Sequence, residues 1–177
     1  MVPFIWSDVS LRCNAGLLGE ALANVHPNLY RTPQGLIEGI PEENKVRVID
    51  SARKLAPILI DNLDIQVKRG GKIVGDLPPE RSLNALLESN EFLQSFRHVD
   101  VVTFFPVYLA DFTLAPQGYH DAGPGQRILF LGPKPQTATS MDVWHRFQAV
   151  MDYDSEASRT NAIAAALTVL LRHHFSG

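Results

Sequence analysis

The chain is predicted to be an α+β protein, and three observations carry that expectation. Two glycine-containing turns sit between short β-prone runs, at Thr32-Pro33-Gln34-Gly35 and at Arg69-Gly70-Gly71-Lys72. Apolar residues recur at helical spacing between and around these runs. A run of apolar residues close to the C-terminus, Ala162 to Leu171, ends the chain in a helix. The expected architecture is a small hairpin-rich sheet with several short helices and a long C-terminal helix. A winged-helix-like arrangement is one form it could take.

Taken in order, Leu17, Leu18, Ala21, Leu22 and Val25 fall on one helical face behind Asn14 and Gly16, and His26-Pro27 ends that helix. Asn28 to Arg31 and Gly35 to Glu38 form the first expected hairpin. Val46 and Val48 alternate with polar residues, which predicts a strand. Asp50 or Ser51 can then cap a helix through Ala52, Leu55, Ala56 and Leu59. Pro57 inside it removes one backbone bond, so a short or kinked helix is expected.

Ile65 and Val67, then Ile73 and Val74, flank the Gly70-Gly71 pair of the second hairpin. Pro78-Pro79 opens a helix with Leu83, Ala85, Leu86 and Leu87, and Phe92, Leu93 and Phe96 continue in a second short turn. The β-branched and aromatic run from Val99 to Leu109, broken by Pro106, reads as a central strand ending in an edge or bulge. It is expected to pair with a strand from Arg127 to Leu131, entered through the glycine-rich loop Gly118 to Gly125. Gly132-Pro133-Lys134-Pro135 breaks the pattern and divides the chain into a module over 1–131, a linker over 132–138 and a helical segment over 139–177 packed on the module. In that last segment Ile163, Ala166, Leu167, Leu170 and Leu171 recur as one apolar stripe. Arg172, His173 and His174 suit the negative end of the helix dipole.

Composition narrows the function classes. With 177 residues, 45% of them apolar and 20% charged, the chain can build one sizeable core and does not read as disordered, collagenous or coiled-coil. The apolar run Ala162 to Leu171 is half of what a bilayer requires, and no signal-peptide pattern opens the chain, so a cytoplasmic protein without membrane contact is expected. One cysteine, Cys13, makes neither an internal disulfide nor a multi-cysteine zinc site, and it is expected to be a partly buried structural thiol. The net charge of -3 means that any contact with nucleic acid must come from a local patch.

Complete catalytic motifs are missing from the sequence. Gly132-Pro133-Lys134-Pro135 has proline where a P-loop requires glycine and again where it requires a hydroxyl, so no nucleotide cofactor is expected. Gly123-Pro124-Gly125 precedes a strand, which is the wrong order for a dinucleotide fingerprint. No pair among the six histidines, His26, His98, His120, His145, His173 and His174, has metal-site spacing, so they are expected to be solvated or capping residues and no metal is expected. Tyr119, His120 and Asp121 sit in the glycine-rich loop and could suggest a base with its orienter. Adjacent strand residues point to opposite faces, however, so a structural turn is the expected role.

The basic residues are the better candidates. Lys68, Arg69 and Lys72 crowd the second hairpin, and Arg53 and Lys54 lie on the helix before it. A helix followed by a basic wing is a common way to touch phosphates, whereas charges on a hairpin also serve to protect its edge.

Two stretches resemble the region ahead of the ATPase core in phage- and plasmid-type primase–helicase proteins. One is Val-Asp-Val-Val-Thr-Phe-Phe-Pro-Val-Tyr-Leu-Ala-Asp-Phe-Thr-Leu from Val99, with Pro-Gln-Gly-Tyr-His-Asp-Ala-Gly-Pro-Gly from Pro116. The other is Ser158 to Arg172, which is similar to the Arg-x-Asn-Ala-x-Ala-x-x-Leu-Thr-x-x-Leu-Arg helix of such proteins. The resemblance implies a non-catalytic accessory domain of a mobile-element DNA replication protein, with DNA and a P-loop ATPase domain or protein as partners. The chain would be a fragment or a stand-alone relative, since no P-loop and no primase-type acidic triad is found in it. A stand-alone protein-interaction or regulatory module is the alternative. The sequence sets no oligomeric state.

Overall fold

The computed structural model describes residues 1–7, 10–75, 77–109, 113–134, 146, 149–150 and 153–170. The chain is α+β, with five α-helices and three small sheets among the described residues. It divides into two compact units, Met1–Val101 and Val102–Gly177.

The first unit opens with β1 (Val2–Trp6), which lies parallel to β5 (Leu63–Arg69), with Phe4 opposite Ile65. No turn signal announces β1, because its partner comes much later in the chain. β6 (Lys72–Gly75) completes this sheet in the order β1-β5-β6. The helix-then-hairpin order of a winged helix is present, but the third strand runs parallel to β5, so the sheet is mixed and not antiparallel.

Helix α1 (Leu11–Val25) begins six residues before the expected Leu17, because Ser10 caps it by accepting from Cys13 N–H at 3.3 Å. Asn14, expected to flank the helix, lies inside it and is 2% exposed. Its Nδ2 donates to the Ser7 carbonyl at 3.0 Å and its Oδ1 accepts from Ser7 N–H at 3.4 Å, which ties α1 to the end of β1. Asn14→Leu should therefore cost about 1–3 kcal/mol, the penalty for stranding buried backbone groups. A urea midpoint equal to wild type would show that these bonds contribute nothing.

Between the two halves of the first sheet lies a meander of β2 (Leu29–Thr32), β3 (Gly35–Ile40) and β4 (Lys45–Ile49), to which β7 (Arg97–His98) adds parallel to β2. The sheet order is β4-β3-β2-β7. The expected turn is present, and Gly35 takes a positive φ of 126° at its exit. Helix α2 (Ala52–Asn62) continues past Pro57, which is exposed, over its full 11 residues. Ser51 makes no side-chain cap. Instead Asn84 Oδ1, from α3 (Glu80–Leu87), accepts from Ala52 N–H at 2.7 Å.

The core of this unit joins Phe4, Trp6, Leu18, Leu22, Leu36, Ile49, Leu55, Leu59, Ile65 and Val67 to Leu83, Leu86, Phe92 and Phe96. Phe92 belongs to α4 (Asn90–Leu93), which packs on α1. Gly19 permits that approach, since a Cβ there would stand 2.9 Å from the Phe92 carbonyl oxygen.

In the second unit β8 (Val101–Thr103, whose first residue sits at the boundary), β10 (Arg127–Phe130) and β9 (Gly118–Asp121) form a sheet in the order β8-β10-β9. β10 is central, and Ile128 to Leu131 are buried without interruption, as expected of a strand covered on both faces. The expected strand over Val99 to Leu109 is cut to three residues. Thr103 Oγ1 accepts from Phe105 N–H at 3.1 Å and donates to the Phe105 carbonyl at 3.2 Å, closing a turn that takes the chain out of the sheet.

Helix α5 (Glu156–Leu170) is present, with Ile163, Ala166 and Leu167 on one face as expected, while Ala162, Ala164 and Ala165 spread small apolar residues over the other faces. Ile163 and Ala166 are half-buried and Leu167 is 47% exposed. Leu171, Arg172, His173, His174, His145 and the linker residues beyond Lys134 lie outside the described residues.

Candidate nucleic-acid interface

The basic hairpin forms as its residues predict. Gly70 (φ 53°) and Gly71 (φ 78°) both occupy the left-handed region, the backbone that a two-residue hairpin loop requires and that residues with a Cβ resist. This places Arg69 directly opposite Lys72, and Lys68 opposite Ile73 on the other face of the ribbon. Arg69 and Lys72 are exposed and Lys68 is half-buried. Among the described residues none of the three takes part in an ion pair. Two like charges directly opposite on an antiparallel pair destabilise it, by roughly 0.2–1 kcal/mol on the scale of such cross-strand pairs. The tip therefore holds a repulsion that an anion would relieve.

The two cations of α2 are placed differently. Lys54 Nζ pairs with Asp50 Oδ2 at 2.9 Å, and Lys54 is the main cause holding the Asp50 carboxyl below its usual range. Arg53 lines a groove of about 400 Å³ between the starts of α2 and α3, shared with Glu80. No hydrogen bond or ion pair among the described residues links either of them to the hairpin. The hairpin is the stronger part of the expected patch.

Of the expected loop over Gly118 to Gly125, Gly118–Asp121 is strand β9, so Tyr119, His120 and Asp121 lie in a strand paired with β10 and only Ala122 to Gln126 make the turn. Asp121 Oδ1 accepts from Gly123 N–H at 2.9 Å, and Oδ2 accepts from the Tyr119 hydroxyl at 3.3 Å and stands 3.4 Å from Arg127 Nε. His120 points elsewhere and donates from Nε2 to the Pro116 carbonyl at 2.6 Å. The structure thus brings Tyr119 to Asp121 but does not bring His120 to either. The Gly123 N–H is the largest cause holding the Asp121 carboxyl below its usual value; desolvation, next in size, opposes it, and the Arg127 charge and the Tyr119 hydroxyl add to the lowering.

A folded-state value below the unfolded one means that the carboxylate supports the hairpin above the unfolded range, about 3.9, and that this support fades as pH falls through the folded value. A carbon-detected NMR titration should give Asp121 a midpoint under that of a free aspartate. A midpoint at or above it would mean that the turn is not formed in solution.

Two expectations about isolated side chains change. Cys13 is exposed, with the Ser10 hydroxyl donating to its sulfur at 3.3 Å, because the early start of α1 turns it outward. His26 is the C-cap of α1, its backbone N–H donating to the Leu22 carbonyl at 2.9 Å, whereas His98 is neither solvated nor capping. Each is half-buried with Nε2 at 3.0 Å from a carboxylate, Glu38 for His26 and Asp100 for His98, and Arg47 Nη1 meets the other Glu38 oxygen at 3.2 Å. Sheet register brings Glu38 beside Arg47, which local spacing does not reveal. Among the described residues no group of three His, Cys, Asp or Glu side chains could hold a metal ion. Among them also, no helix is long and apolar enough to cross a membrane.

Compared with models of known families, with curated proteins and with solved structures, the chain shows no match. Two side chains that sequence reasoning did not single out also belong to the interface question. Phe105, expected within a strand, is 79% exposed, and Lys134 stands exposed beyond β10. A proline directly after Phe105 was the available signal that the strand had ended.

Proposed function

We propose that the chain is a non-catalytic accessory domain of a cytoplasmic mobile-element DNA replication protein, associated with a helicase or primase, that contacts nucleic-acid phosphates through the β5–β6 hairpin. The observation that carries the phosphate contact is the juxtaposition of Arg69 and Lys72 across the Gly70-Gly71 tip with no carboxylate partner among the described residues. Protecting a sheet edge requires a charge, but not two of one sign facing each other. The replication setting, with a P-loop ATPase as partner, is supported by the resemblance of residues 99–125 and 158–172 to primase–helicase proteins.

The test is a fluorescence-anisotropy titration of labelled single-stranded and duplex oligonucleotides at low and at raised salt. Binding that weakens steeply with salt is the expected result. The absence of binding at low salt would overturn the reading.

One observation favours a second role, that of a protein-interaction module. Leu167 on α5 is 47% exposed, an apolar side chain that a protein partner would cover. In that case polar substitution at Leu167 would abolish capture of a partner and leave oligonucleotide binding unchanged.

A further inference from the structure

We infer that Phe105 is a stacking platform for an unpaired nucleobase, with Lys134, on the neighbouring segment after β10, as the cation for the adjoining phosphate. This deepens the nucleic-acid reading and rests on it. It makes single-stranded nucleic acid, not duplex, the ligand of the second unit.

Presentation of the ring is the first ground. Phe105 is 79% exposed, whereas Phe104 beside it is 42% exposed. The backbone on both sides of the Phe105 ring is held by the two Thr103 Oγ1 hydrogen bonds, and Pro106 follows. Gly132 packs so closely on Phe104 that a Cβ there would overlap the Phe104 carbonyl oxygen. An aromatic ring held out by a braced turn loses little conformational freedom when it meets a flat partner.

Charge is the second ground. Leu131 N–H donates to the Thr103 carbonyl at 2.9 Å, so the segment carrying Lys134 leaves the sheet beside the one carrying Phe105. Lys134 is exposed and joins no ion pair among the described residues. The third ground is size. One aromatic side chain offers about 150–250 Å², far below the roughly 1,000 Å² that a specific protein interface requires. A single ring face is nevertheless all that base stacking needs, and every base supplies the complementary face. Bases in a duplex are already stacked and offer no free face to it.

The test compares wild type with Phe105→Ala, Phe105→Leu and Phe105→Trp, using an oligo-dT strand and a mixed-sequence duplex of equal length. Phe105→Leu keeps an apolar side chain and removes the ring. Both Phe105→Ala and Phe105→Leu should weaken oligo-dT binding by about 10- to 100-fold, with the duplex affinity and the salt slope unchanged. Phe105→Trp should retain the oligo-dT affinity. Because the ring is exposed, all variants should melt as wild type does.

Equal weakening for strand and duplex, or wild-type binding by Phe105→Leu, would overturn the stacking role while leaving the phosphate contact of the hairpin standing. Failure of the wild-type chain to bind either oligonucleotide would overturn the nucleic-acid reading and this inference with it. Capture of a protein that disappears on Phe105→Ala, with oligo-dT binding intact, would assign the ring to a protein partner instead.

Discussion

Phe92→Ala should destabilise the first unit by about 3–5 kcal/mol, the range for removing a fully buried phenylalanine from a core that cannot collapse around the cavity. Phe92 is 0% exposed and its ring meets Phe96 edge-on, with centroids 5.1 Å apart at 72°. Its helix, α4, is only four residues long and has no side-chain cap, so intrinsic helix stability contributes almost nothing and packing holds it in place. Collapse is restricted because α1 already approaches the Phe92 backbone as closely as Gly19 allows.

Urea unfolding followed by circular dichroism would show a lowered midpoint at an unchanged slope. Phe105→Ala is the matched control, the same substitution at a surface site, and should stay within about 0.5 kcal/mol of wild type. A loss under about 1 kcal/mol for Phe92→Ala would mean that α4 is not docked in the folded protein in solution.

Replacing Lys68, Arg69 and Lys72 together by alanine should weaken oligonucleotide binding by about 10²-fold near 0.1 M salt. The slope of log affinity against log salt should flatten by about 0.9 for each duplex phosphate that is no longer neutralised. The weakening should be alike for all sequences, because phosphate contacts carry no base information. Lys68 lies on one face of the ribbon and Arg69 with Lys72 on the other, so the three cannot grip one phosphate. They suit a backbone that passes across the tip.

Stability offers an independent check. Removing the Arg69–Lys72 repulsion should leave the hairpin no less stable, and up to about 1 kcal/mol more stable at low salt. Unchanged binding in the triple variant would take the hairpin out of the interface and favour the protein-interaction role.

Local chemistry made a large share of this protein legible in its sequence. Glycines with a positive φ at Gly35, Gly70 and Gly71 mark the two early hairpins, and Pro79 marks the start of α3, because turn geometry is dictated by the residues within the turn. The basic character of the second hairpin follows from the same few residues. What the sequence by itself determined is thus the order and type of most elements, the sign of the tip's charge and the absence of a P-loop motif.

Tertiary structure decided the rest. β1 exists because a parallel partner, β5, arrives after two helices and a meander, and nothing within Val2–Trp6 announces it. α1 reaches back to Leu11 because Ser10 caps it and Asn14 is satisfied by Ser7, a bond between elements. His26 and Glu38 pair only once α1 and β3 are placed side by side. The strand expected over Val99 to Leu109 stops at Thr103 because a side-chain bond to the backbone offers the chain an alternative to the sheet, and that same turn exposes Phe105. Propensity and periodicity are properties of neighbours in sequence. Pairing, burial and exposure are set by groups that meet only after the chain has folded.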